Sequence, residues 1–252
     1  MSTPWPIRLY RAYRAIIRSD RFLTRRFITS AASINRRRAT TCLDIGAGIA
    51  PYREAVSRQF LVPSYVTLDF VPSDAIDVVG DATALPLANG SVDLVVCFEA
   101  LQHISKYHSV LDEIKRVLSD GGGVVLSTPF IFCECDVVDF RRWTTNGVIK
   151  DLEERGFSVL SSAQKGGPLY ATVNLIIWII HHAIPGSRAT WRSSRNLVTY
   201  GREMLVNILT LPFTLLSWPA FMLDKLLPTT GFYVGTFVFA CLDEPSKHQP
   251  LG

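Results

Sequence analysis

Thr41-Cys42-Leu43-Asp44-Ile45-Gly46-Ala47-Gly48 decides how this 252-residue chain is read. A short apolar strand runs there directly into an acid and two closely spaced glycines. Glycines at 46 and 48 permit a tight turn and leave no Cβ in the path of a ligand, and a helix just beyond offers unpaired N–H groups to a carboxylate or phosphate. A dinucleotide-binding loop would place a third glycine at position 51. Pro51 stands there instead, which disfavours a pyrophosphate. A cofactor with an amino-acid end fits better: Asp44 meets an ammonium, directly or through water, while backbone N–H groups of the loop around Gly46, Ala47 and Gly48 meet a carboxylate.

The residues that follow repeat a strand–helix–strand order. Ser64–Asp69 (SYVTLD) reads as a second strand ending in an acid 21 residues after Gly48, where a doubly wound fold places a carboxylate for ribose hydroxyls. A third strand is expected over Ala75–Val79, leading to Gly80-Asp81-Ala82 and Leu85-Pro86-Leu87. A fourth, Val92–Phe98, ends in Glu99-Ala100-Leu101-Gln102-His103. A helix with apolar positions at Val110, Leu111, Ile114, Val117 and Leu118 then stops at Asp120-Gly121-Gly122-Gly123, and a fifth strand follows over Val124–Thr128. A helix over 145–155, a sixth strand over 156–163 and a seventh over Phe232–Leu242 complete the pattern. The expected fold is α/β, a doubly wound, seven-stranded Rossmann-like sheet with a hydrophobic helical insertion before the last strand.

In these motifs the chain resembles the class I S-adenosylmethionine-dependent methyltransferases. LDIGAG, the acid Asp69, GDATALP, VDLVVCFEALQHI and EIKRVLSDGGGVVLSTP stand in that family's order over roughly residues 39 to 168. The resemblance implies S-adenosyl-L-methionine as cofactor, with Asp44, Gly46, Ala47, Gly48, Asp69, Asp81, Ala82, Phe98 and Glu99 around it. Ala50-Pro51-Tyr52-Arg53, and Pro129-Phe130 followed by Asp139-Phe140-Arg141-Arg142-Trp143-Thr144, look like the subgroup associated with envelope polysaccharides. That subgroup usually shows a His and a Pro where this chain has Cys135 and Val138. On this resemblance the acceptor is a lipid-linked or cell-envelope saccharide. An isoprenoid quinone or other apolar small molecule is the alternative acceptor, and a cofactor-binding partner protein without catalysis is the alternative class.

Charge is distributed unevenly. Residues 1–38 hold ten arginines and one acid, a net +9, against 16 basic and 21 acidic residues in the remainder, a net −5, so the basicity belongs to the N-terminal stretch. Five cysteines at 42, 97, 133, 135 and 241 include no CxxC pair, which favours reduced thiols over disulfides or zinc. The adjacent His181 and His182 point in different directions on a helix, so no metal site is expected. No leader with a cleavage site opens the chain, so export is not expected. The Asn- or Asp-Pro-Pro-aromatic motif of nucleic-acid base methyltransferases is missing after strand four, where Cys97-Phe98-Glu99-Ala100 stands, so nucleic acid is not an expected partner.

Two stretches depart from a minimal domain. Within 1–38, Arg11, Arg14 and Arg18 share helical spacing, with Leu9, Tyr13, Ile16 and Ile17 toward the other side. Such a basic amphipathic helical segment suits an anionic lipid surface; packing on the domain and a mitochondrial transit peptide are the other readings. Residues 169–230 contain Leu-Ile-Ile-Trp-Ile-Ile and a run of 20 uncharged residues, Met204–Leu223, interrupted by Pro212 and Pro219. Flanking strands on both sides require an even number of membrane crossings. Two crossings would carry Arg188, Arg192, Arg195 and Arg202 to the far side, against the positive-inside bias. An in-plane or shallow re-entrant membrane-associating insertion at the cytoplasmic face is therefore expected, with a cap or a homodimer surface as alternatives. Either way, apolar surface is expected beside the substrate end of the sheet. The expected domain plan is 1–38 basic segment, 39–168 with 231–244 as the cofactor-binding domain, 169–230 as the insertion and 245–252 as a tail.

Methyl transfer to a hydroxyl requires a base. His103, just past the fourth strand, has the pKa class and the place for one, with a core or helix-capping role as its competitor. Asp139, Arg142 and Trp143 are candidates for shaping the acceptor site. An Asp–Arg pair, a Thr144 helix cap and a core tryptophan would explain the same residues.

Overall fold

The computed structural model describes residues 19–134, 138–183, 197–227 and 231–242. The amphipathic stretch expected over 5–18, Cys135, the arginines at 188, 192 and 195 and the tail after 242 lie outside the described residues. Parallel strands buried on both faces need near-continuous apolar runs, and β1 (Thr41–Ile45), β2 (Ser64–Asp69) and β4 (Val92–Phe98) supply them. With β3 (Val78–Val79), β5 (Leu118–Pro129), β6 (Phe157–Lys165) and β7 (Gly235–Leu242) they form one seven-stranded sheet of order β3-β2-β1-β4-β5-β7-β6. The pairs β1–β2, β2–β3, β1–β4 and β4–β5 are parallel, and β7 runs antiparallel to β5. Strand order reverses between β1 and β4. In open α/β sheets ligands bind beyond the carboxyl ends of the strands at such a switch point, and this fixes where the site must be.

Helices cover the sheet through their apolar stripes. In α3 (Tyr107–Val117) the buried positions Tyr107, Val110, Leu111, Ile114 and Val117 recur at three- and four-residue intervals. Helix α4 (Thr145–Glu153) starts where Thr144 caps it by accepting a hydrogen bond from the Gly147 N–H at 3.1 Å. Helix α1 (Ser19–Ile34) buries Leu23, Phe27, Ile28 and Ala31, and the Phe27 ring stacks on Phe237 of β7 with centroids 5.1 Å apart. The short α2 (Arg53–Phe60) follows the glycine loop.

The third and fifth strands differ most from their sequence expectations; the sixth, Phe157–Lys165, runs two residues further than expected, and the seventh begins at Gly235, three residues late. The third is confined to Val78–Val79 because residues 75–77 spend their hydrogen bonds differently: Asp77 accepts from the Thr67 N–H at 2.9 Å, its own N–H donates to the Thr67 hydroxyl oxygen at 2.8 Å, and the single Thr67 hydroxyl proton lies between the Ala75 carbonyl and the Asp77 carboxylate. The fifth begins at Leu118, six residues early, and takes in Asp120-Gly121-Gly122-Gly123, expected as the helix stop. Val92 already pairs with Leu118, and the register shift before Leu94 is absorbed by the glycines, Gly121 at φ +69° and Gly122 with no room for a Cβ beside the Ser119 carbonyl.

The chain divides into two compact units. The larger comprises Thr24–Phe130, Val138–Gln164 and the described residues from Gly235 on, so it includes most of α1, which sequence reading had left with the basic segment. The smaller contains the described residues between Lys165 and Val234 and is built on α5 (Pro168–Ala183) and α6 (Leu197–Asp224), which pack along one another. The last residue of α6 caps the first turn of α5: the Asp224 carboxylate accepts from the N–H groups of Gly167, Leu169 and Tyr170 at 2.9–3.0 Å. Leu205–Asp224 is long and apolar enough to cross a membrane by length and composition alone.

Candidate active site

At the carboxyl end of β1, the N–H groups of Gly46 and Ala47 donate to the Leu68 carbonyl at 2.8 and 3.2 Å, which folds the loop over the end of β2. Gly46 (φ +69°) must be glycine twice over, since its dihedral disfavours other residues and an added Cβ would collide with that of Ala100. Gly48 (φ +58°) faces open space, leaving room for a ligand against its backbone. The Asp69 carboxylate ties the loop to β2, accepting from the Gly48 N–H and the Val71 N–H at 2.9 Å each. Beyond β3, the Gly80 N–H donates to the Asp69 carbonyl at 3.0 Å, and Asp81 accepts from the Thr83 N–H at 2.8 Å while Ala82 is buried. The loop of Leu85 to Leu87 is held from α3, where Glu113 accepts from the Leu85 N–H and Arg116 donates to the carbonyls of Leu85 and Leu87.

Asp44 is only 3% exposed, and its carboxylate accepts from the Tyr65 hydroxyl at 2.8 Å. Burial pushes its pKa up to about 7 against the opposing Tyr65 hydrogen bond; the Asp69 charge adds to the rise and Arg53 reduces it. Tyr65 was not legible as a site residue, because only the register of β2 against β1 brings it to Asp44. At the end of β4, Phe98 meets Tyr52 edge-on at 5.0 Å, and Glu99 adopts φ +52°, rare for a residue with a Cβ. Ser127 of β5 stabilises that turn: its hydroxyl donates to Glu99 Oε1 at 2.9 Å, and the Glu99 N–H donates to its carbonyl at 3.1 Å.

His103 ends a 3-10 turn, Leu101–His103. Its Nδ1 lies 2.6 Å from the Val138 carbonyl, a bond that requires the proton on Nδ1, and its Nε2 lies 3.2 Å from the Gln102 side-chain nitrogen. The Gln102 amide also donates to the Glu99 carbonyl at 2.7 Å, while its Oε1 is one of two buried side-chain atoms without a hydrogen-bond partner among the described residues; the other is Thr128 Oγ1. The residues past β4 thus form one hydrogen-bonded turn, Glu99 to His103, that sequence reading saw as separate candidates.

The acceptor candidates are placed differently. Asp139, its side chain 1% exposed, pairs with Arg142 through both guanidinium ends, one of them at 2.8 Å. The Trp143 ring is a correction to the expected substrate face: it is 6% exposed, packs edge-on against Tyr107 at 5.2 Å and donates from Nε1 to Asp151. A ring so enclosed has no face left for a sugar. The Asp139–Arg142 pair carries a stability prediction. Asp139→Ala should destabilise the protein by about 1–3 kcal/mol, through loss of the charge-assisted hydrogen bonds to a partly exposed Arg142, read as a lower urea midpoint at unchanged slope. An unchanged midpoint would show that the pair is structurally idle.

Residues 43–126 match the family model described as Methyltransferase domain. Over that third of the chain the sequence is similar to methyltransferase domains. The residues present fit S-adenosylmethionine as a cofactor: open space over Gly48, carboxylates at the ends of β1 and β2, and, among the described residues, buried polar atoms left unpaired at Gln102 past β4 and at Thr128 near the end of β5. A curated relative, the malonyl-[acyl-carrier protein] O-methyltransferase of Methylococcus capsulatus, is 32% identical over 112 residues, 39% of this chain and 40% of its own length. The chain thus spans about two fifths of that relative. A SAM dependent methyltransferase from Archaeoglobus fulgidus is similar in structure, with TM-score 0.56 and 13% identity over 92% of this chain and 99% of that one. The [4+2]-cyclase SpnF is similar at TM-score 0.55 and 14% identity, over 89% of this chain and 81% of its own. Both likenesses concern the fold.

Asp69→Ala should weaken S-adenosylmethionine binding by about 1–3 kcal/mol, because it removes a charge-assisted acceptor and releases the Gly48 N–H from its tether. Titration calorimetry checks this, and wild-type affinity in the variant would take Asp69 out of the cofactor site.

Proposed function

We propose that the protein is a membrane-peripheral, S-adenosylmethionine-dependent methyltransferase that methylates a hydroxyl of a lipid-linked or cell-envelope saccharide at the cytoplasmic face of a membrane. The observation that carries the methyl-transfer reading is the array at the switch point, where Asp44, the 46–48 loop, Asp69 and the Glu99 turn converge on the carboxyl ends of β1, β2 and β4. The saccharide is supported by the resemblance carried by Ala50–Arg53 and Asp139–Thr144, and the lipid link by the apolar helices α5 and α6.

Bound S-adenosylmethionine supplies a methyl group on a sulfonium for in-line transfer to a nucleophile. The chain's part is to orient and to take a proton. Asp44, Gly46, Ala47, Gly48 and Glu99 would hold the amino-acid end, and Asp69, Asp81, Ala82 and Phe98 the nucleoside. His103 would be the base: with Nδ1 donating to the Val138 carbonyl, Nε2 is the basic nitrogen, and its partner at 3.2 Å, the Gln102 amide, is a neutral donor that an acceptor hydroxyl can displace. The proton of that hydroxyl ends on Nε2. Asp139 and Arg142 would shape the acceptor side by fixing the segment after Val138.

The test is incubation with methyl-labelled cofactor and an extract of lipids and glycans, followed by mass spectrometry of labelled products. Label on a saccharide is expected; label on an isoprenoid ring would move the acceptor to a quinone. A second reading, a cofactor-binding protein that does not transfer methyl groups, is favoured by the cyclase among the structural neighbours, since one fold hosts several activities. Tight cofactor binding without label transfer to any extract would select it.

A further inference from the structure

Helix α6 has its polarity inverted relative to an ordinary surface helix. The exposed positions between 205 and 226 include Leu205, Ile208, Leu209, Leu215, Leu216, Met222, Leu223 and Leu226, joined by Pro212 and Pro219; apart from Lys225 past the helix end, every exposed position in that span is apolar. They recur with a period of seven as one stripe along one side of the helix. The hydroxyl side chains are turned the other way. Thr210 and Ser217 are buried, and Thr210, Thr214 and Ser217 each return their proton to a carbonyl four residues back. A helix in water hides its leucines and shows its threonines; this one does the reverse.

A solvent as apolar as the stripe is therefore required along the 20 residues of Leu205–Asp224, about 30 Å of helix at roughly 1.5 Å per residue. A second copy of the chain suits the stripe poorly. In a helix pair the positions now held by Pro212 and Pro219 would supply interlocking knobs, and a proline ring is a poor knob. A protein partner would also call for a polar rim, whereas the half-exposed flanks are mostly apolar: Leu211, Phe213, Trp218 and Phe221 stand beside Asn207, Thr214 and Asp224. Hydrocarbon requires neither knobs nor rim. Because only one side is bare and the other packs along α5, the geometry suits a helix lying in the membrane plane.

We propose that the 205–226 stripe of α6 is the membrane-docking face, lying parallel to the surface with its leucines among the acyl chains of a phospholipid leaflet. This deepens the membrane-peripheral part of the function proposed above and is independent of what is methylated. The closing experiment uses the full chain and vesicles of phosphatidylcholine with phosphatidylglycerol, with bound protein measured by flotation. Ile208→Glu, Leu215→Glu and Met222→Glu should each lower partitioning roughly tenfold or more, through lost apolar burial and an added charge. Leu61→Glu, more exposed than any of the three but in the larger unit, should change nothing. Melting temperature and cofactor affinity should stay at wild-type values in all four, since every changed side chain faces outward. Alkaline carbonate should release the bound protein.

Unchanged partitioning of the three stripe variants overturns the proposal while leaving a membrane-peripheral enzyme standing, docked elsewhere. Failure of the wild-type chain to float with these vesicles overturns both. A wild-type dimer that ignores vesicles and dissociates in the stripe variants assigns the stripe to a second copy. Retention in carbonate overturns the in-plane arrangement in favour of a span.

Discussion

Asp44→Asn is expected to make the cofactor-free protein more stable above pH 7 and a poorer binder of S-adenosylmethionine. Burial raises the folded-state pKa of Asp44 from 3.8 to about 7, despite the Tyr65 hydrogen bond. A carboxyl with a raised pKa favours folding while protonated. Between pH 4 and 7 the folded state holds a proton that the unfolded state has released, so this contribution is lost as pH rises through that window and stays lost above it. About three units at 1.36 kcal/mol each give roughly 4 kcal/mol as the cost of the ionised group above pH 7. Asparagine mimics the protonated acid and can still accept from Tyr65. Urea melts at pH 4 and pH 8 should therefore show the variant gaining on the wild type as pH rises. Calorimetry should show a loss of about 1–3 kcal/mol in cofactor affinity, from removing a charge-assisted hydrogen bond. A wild type whose stability does not fall between pH 4 and 7 relative to the variant would mean that Asp44 is solvated or already paired with a cation. A residue that destabilises the empty protein is retained for a ligand, and its costly burial is itself an argument for a cationic partner.

How far the sequence revealed this arrangement depended on whether a feature was local. Val92–Phe98 and Ser64–Asp69 were delimited correctly because a buried parallel strand is written as an apolar run with polar stops. The glycine loop was legible because only glycine accepts φ near +60° beside a neighbour as close as Ala100. The failures were non-local. The glycines at 121–123 looked like a helix stop, yet pairing with Val92 drew Leu118 into the sheet. Residues 75–77 looked like strand, but side-chain bonds from Thr67 and Asp77 replaced the ladder. Trp143 offered the same sequence pattern whether packed or displayed, and only the positions of Tyr107 and Asp151 decide that it is core. Tyr65, Ser127 and Gln102 escaped notice because hydroxyls and amides in or beside buried strands are common, and their partners are set by register. The inverted polarity of α6 was invisible too, since composition shows many leucines without saying which side the threonines take.

The largest kinetic effect is expected at His103. If its Nε2 takes the acceptor's proton, His103→Ala should slow methyl transfer by roughly 10²- to 10⁴-fold with cofactor affinity nearly unchanged. The structure sharpens this test, because the ring also holds the segment after Val138 through Nδ1. His103→Asn separates the roles: its amide can still donate toward the Val138 carbonyl but offers no basic nitrogen. A base therefore predicts that both variants are slow while the asparagine protein melts near wild type. A positioning role predicts that asparagine restores the rate along with the stability. Single-turnover kinetics with a confirmed acceptor distinguish the two, with each variant's folding checked by its melting temperature. A loss below about tenfold in a folded variant, about 1.4 kcal/mol of barrier, would remove His103 from the proton's path. Glu99 would then be the nearer alternative, since it ends β4 in a strained turn; Asp139 is committed through both oxygens to Arg142.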